Sequence, residues 1–114
     1  MPRYAETRTV DTAGVALTTI INKRPAHVGW IAISVEAQAG QGVLEIYDGL
    51  DREGDLKFKL EPGYAHSFAF VPPFLCQQGI TIYNDANIAG YTIGFEVVRR
   101  APFMSSVDAG GATP

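Results

Sequence analysis

Apolar and polar residues alternate along most of this chain, and no stretch repeats apolar residues at the three-and-four spacing of a helix face. Successive residues of a strand point to opposite faces of a sheet, so alternation predicts strands with one buried face. Eight strands are predicted, over residues 6–10, 15–21, 28–37, 43–48, 55–60, 64–71, 80–84 and 91–98, separated by Gly, Pro, Asn and Asp turn signals. Short strands at this spacing predict an all-β fold, a single-domain antiparallel β-sandwich or jelly-roll-like barrel.

The same parity selects the core. Ile31, Ile33 and Val35 share a face, as do Val15, Leu17 and Ile21, Leu44 and Ile46, and Leu56, Phe58 and Leu60. Phe68 and Phe70, Ile80 and Ile82, and Tyr91, Ile93, Phe95 and Val97 complete the expected interior. In the hairpin VLEIYDGLDREGDLKFKL, inward residues must oppose inward residues. Pairing Leu44 with Phe58 and Ile46 with Leu56 then sets Glu45 opposite Lys57 outside, a pair contributing up to about 1 kcal/mol, with residues 49–53 as the loop.

Where the alternation fails, arms and crossings are expected. Residues 1–14 are expected as an N-terminal arm with a weak strand signal, 15–100 as the sandwich domain, and 101–114, small and Gly-rich, as a flexible C-terminal tail. FVPPFLCQQG holds Pro72 and Pro73, which cannot donate to a ladder, and is expected as a loop crossing with Phe74 and Leu75 tucked toward the core.

A chain of 114 residues can bury one core without metal or disulfide staples. Its net charge of −3 leaves no electrostatic footprint for nucleic acid, since Lys23-Arg24 and Arg99-Arg100 are too short to track phosphates. The single Cys76 has no intrachain partner and no zinc-spaced neighbours, so a buried or semi-buried free thiol is expected. The opening MPRYAETRTV lacks a charged-then-apolar leader, and no apolar stretch reaches the ~20 residues of a membrane helix. The expectation is a soluble protein made in the cytoplasm, with no membrane partner.

Candidate chemistry is thin. Asp48, Asp51, Glu53 and Asp55 crowd one loop, but neither frame starting at Asp48 or Asp51 places glycine sixth and glutamate twelfth, as an EF-hand loop requires. Acid/base work needs a carboxylate that is desolvated or beside a like charge, and a hairpin tip is wet, so a solvated turn is expected. His66 shares parity with Phe68 and Phe70 and is expected at a sheet margin; Ser67 points the other way, and His27 follows Pro25-Ala26 in a turn. No catalytic, cofactor or metal residue is assigned, and the protein is expected not to be an enzyme. Trp30, Tyr47 and Tyr83 fall on the outer faces of their strands, where either a partner or another part of the same chain covers them.

The order of GWIAISVEAQ, an IYDG hairpin with a lysine-bearing second strand, a Pro-Phe crossing and a GITIYN strand resembles small β-sandwich virion proteins of tailed bacteriophages, across residues 20–98. That resemblance implies a structural role, as a head decoration or cement subunit located in the virion after assembly in the host cytoplasm. Its partners would be itself, as a homo-oligomer such as a trimer, and the major capsid protein or another virion protein. Tyr4, Arg3 and Phe103 in the two arms, with Trp30, Tyr47 and Tyr83, would then be interface residues. A tail or fibre module and a carbohydrate- or receptor-binding sandwich are the alternatives, and a cupin-like enzyme would need metal held by His27, His66 and a carboxylate.

Overall fold

A computed structural model describes residues 6–36 and 41–98. The described residues form eight strands: β1 (Glu6–Asp11), β2 (Leu17–Asn22), β3 (Ala26–Val35), β4 (Leu44–Asp48), β5 (Asp55–Leu60), β6 (His66–Cys76), β7 (Ile80–Asn84) and β8 (Ile88–Val97). They make two antiparallel four-stranded sheets, ordered β1-β8-β3-β6 and β2-β7-β4-β5. Set side by side, β1, β8, β3 and β6 line up with β2, β7, β4 and β5, which is the strand order of a jelly roll.

The core lies between the sheets and follows the parity of the strands. Ile31, Ile93, Leu44, Ile46, Ile80 and Ile82 are completely buried, joined by Val28, Phe95, Val97 and Cys76. β-branched and aromatic side chains suit this pleated, one-sided burial, which is why these residues form strands at all. Burying each large aliphatic side chain contributes about 1.5–3 kcal/mol.

Several expectations are corrected. The strand expected over residues 6–10 is present as the edge strand β1 within the segment assigned to the N-terminal arm, paired with β8 from Glu6 opposite Phe95 to Asp11 opposite Gly90. The central hairpin is shifted by two residues: Leu44 faces Leu60, Glu45 faces Lys59 and Ile46 faces Phe58, and a bulge then sets Tyr47 opposite Leu56. The bulge turns Leu56 outward, 50% exposed rather than core, and Val15, 52% exposed, precedes β2 instead of lying in it. A shift of two keeps the inward face inward, so the alternation alone could not distinguish the two registers.

The Pro-rich crossing belongs to a strand. β6 runs through Pro72 and Pro73 to Cys76 because it is an edge strand, paired only with β3, where a missing N–H costs no ladder bond. Opposite it the register jumps from Ala69 to Phe74 between Trp30 and Val28, so residues 70–73 form a bulge. Phe74 packs on the core as expected, whereas Leu75 pairs beside His27 on the outer face.

Candidate interaction surfaces

The side of the sandwich closed by β5 and β6 is not hydrogen-bonded, since the two strands belong to different sheets. What fills it is a ribbon of rings. Tyr64 stacks on His66 at 4.4 Å and His66 on Phe68 at 5.4 Å. Phe68 meets Phe58 edge-on at 5.7 Å, Phe58 meets Phe70 at 5.1 Å, and Phe70 meets Phe74 at 4.9 Å. Each edge-on pair contributes about 0.5–1.5 kcal/mol beyond its buried area. The rings from His66 to Phe74 are half-buried and Tyr64 is 68% exposed, so this core margin reaches solvent.

The outer face of the β2-β7-β4-β5 sheet carries a second cluster. Every residue of β4 is buried, including the outward Glu45 and Tyr47, because the β4–β5 loop folds back over them. Thr81 donates its hydroxyl to the Gly49 carbonyl at 2.8 Å, and the Arg52 guanidinium lies over the Tyr83 ring at 3.7 Å. Arg52 also donates to Glu45 Oε1 at 2.8 Å, where Tyr47 Oη donates at 2.5 Å, and Lys59 stands 3.8 Å from Oε2. Burial alone would raise the Glu45 pKa, but the hydrogen bonds from Tyr47 and Arg52 and the charges of Arg52 and Lys59 outweigh it and hold the carboxyl below its usual value. The same bond to Glu45, with burial, raises the Tyr47 phenol.

The four loop carboxylates do not converge. Asp48, nearly buried, accepts the backbone N–H groups of Gln77 and Gln78 at 2.9 and 2.8 Å and so ties the hairpin to the β6–β7 turn. Asp51 accepts the Glu53 N–H at 2.8 Å, an Asx turn at the exposed tip. Among the described residues no group of His, Cys, Asp and Glu is arranged to hold a metal. His27 and His66 lie opposite Leu75 and Ile33, six positions apart along β3 and on opposite faces, roughly 20 Å by strand rise. The cupin-like site therefore does not assemble from these two histidines.

Trp30 sits on the outer face of the other sheet, half-buried against Gly94, so it shares no surface with Tyr47 and Tyr83. Tyr47 is only 8% exposed and is covered within its own chain. Arg3, Tyr4 and Phe103 lie outside the described residues. Sequence reasoning had no role for Arg52, whose placement depends on the path of the loop; the burial of both faces of β4 was equally hidden. Cys76 is buried as expected, and burial pushes its thiol up to about 12.

No family model, curated protein or solved structure matches the chain.

Proposed function

We propose that this chain is a non-enzymatic virion subunit of a tailed bacteriophage, a head decoration or cement protein that stabilises the particle by contacting itself and the major capsid protein. The observation that carries the reading is the aromatic ribbon from Tyr64 to Phe74, a half-open apolar seam of the kind a neighbouring subunit covers. The jelly-roll order supports it by analogy, as capsid domains commonly use that arrangement. The order of the IYDG hairpin, the Pro-Phe crossing and the GITIYN strand, similar to phage virion proteins, supports the particular class.

The test is assembly of particles with and without the protein. The chain is expected to co-purify with heads and to raise their resistance to heat or chelation. Phe70→Ser, which removes a ring at the seam, is expected to weaken retention. Heads that never bind the protein and are equally stable without it would overturn the proposal.

Exposed Tyr64, with one ring face stacked on His66, favours a second reading as a carbohydrate-binding module, since sugars stack on such platforms. Glycan-array binding lost in Tyr64→Ala would favour that reading over the first.

A further inference from the structure

Among the described residues the two sheets have four edge strands, and three of them are interrupted by proline, a bulge or a register shift. β6 carries Pro72, Pro73 and a register jump. β5 carries Lys57, Lys59 and a bulge. β2 is broken between Ile20 and Asn22, and Arg8 of β1 donates to its Ile20 carbonyl at 2.9 Å. Proline, charged side chains, bulges and covering segments are the devices by which sheets avoid adding foreign strands, and proline and bulges are the ones that break the ladder itself.

β1 carries charge at Glu6, Arg8 and Asp11 but has no interruption. Its six residues keep an unbroken register with β8, contain no proline or lysine, and have no strand on their other side among the described residues. We propose that a second copy of this chain adds its own β1 to this edge in antiparallel fashion, joining two four-stranded sheets into one eight-stranded sheet across a two-fold axis.

Residue chemistry selects the occupant and the register. A two-fold axis perpendicular to the sheet sets one residue of β1 opposite itself and keeps each face continuous. Centred on Arg8, it would oppose two guanidinium groups. Centred on Thr9, it pairs Thr7 with the second copy's Asp11, Arg8 with its Val10, and the two Thr9 hydroxyls with each other, over five residues of β1 and with no like charges opposed. Thr9 already makes such a cross-strand bond, to the Thr92 hydroxyl at 2.8 Å. Centring on Thr7 or Val10 leaves only three residues of the strand paired.

The experiment is sedimentation of the full chain from about 1 to about 100 µM, with two variants. Wild type is expected to dimerise. Thr9→Lys, which opposes two ammonium groups at the axis, is expected to weaken the dimer by at least about tenfold, with an unchanged far-ultraviolet circular dichroism spectrum. Thr9→Cys is expected to form an interchain disulfide under mild oxidant, because Cα atoms directly opposed in an antiparallel pair lie about 4.5–5.5 Å apart, within disulfide reach. Buried Cys76 does not compete. A monomeric wild type overturns the proposal, as does a dimer whose Thr9→Cys variant stays uncrosslinked. The particle assay reads a different event, so either idea can fail alone.

Discussion

Gly94 shows how much one missing Cβ decides. A methyl group there would lie 2.1 Å from Trp30 Nε1, so the indole occupies the space that a side chain on β8 would fill. Gly94→Ala is therefore expected to displace the ring, at a cost of about 1–3 kcal/mol. Trp30 is the only tryptophan, so its fluorescence reports the change directly: emission should shift to the red. An unshifted spectrum with unchanged stability would show that the ring does not rest on Gly94. The outward direction of Trp30 was legible from strand parity. Its seat was not, because Gly94 becomes its neighbour only through the pairing of β3 with β8.

At the scale of elements, the β4–β5 hairpin owes its burial to a charge cluster outside the core. Glu45 has a depressed pKa in the folded chain, so the unfolded chain binds more protons between the folded value and the ordinary value of 4.5. Stability from this carboxylate is present above about pH 4.5 and is lost as pH falls through the folded pKa. Glu45→Gln is expected to lower Tm at neutral pH, by a margin that shrinks as the buffer is taken below that window. A constant difference across pH would show that the Glu45 charge does not hold the loop. Strand boundaries for β5 and β7 were readable from the sequence outright. The hairpin register was not, since both even registers keep the same face inward, and the bulge beyond Ile46 accompanies a loop that packs on Thr81 and Tyr83.

For the whole molecule, Cys76 measures how firmly the two sheets close. Its side chain is completely buried and its thiol is pushed up to about 12, so at neutral pH the reactive thiolate is scarce as well as inaccessible. An aromatic disulfide reagent is expected to leave the native protein unlabelled and to react stoichiometrically once denaturant opens the sandwich. Rapid labelling without denaturant would mean that the end of the core around Ala26 and Cys76 opens locally. The sequence by itself determined the class of fold, the face on which most apolar residues lie and the scarcity of candidate chemistry, because side-chain alternation and turn residues are local properties of the chain. Only the tertiary structure decided the jelly-roll order, the pairing of β1 with β8, the strand through Pro72 and Pro73, and the aromatic seam. Each depends on which strand lies at an edge and what faces it across the core, and those are properties of pairings distant in sequence.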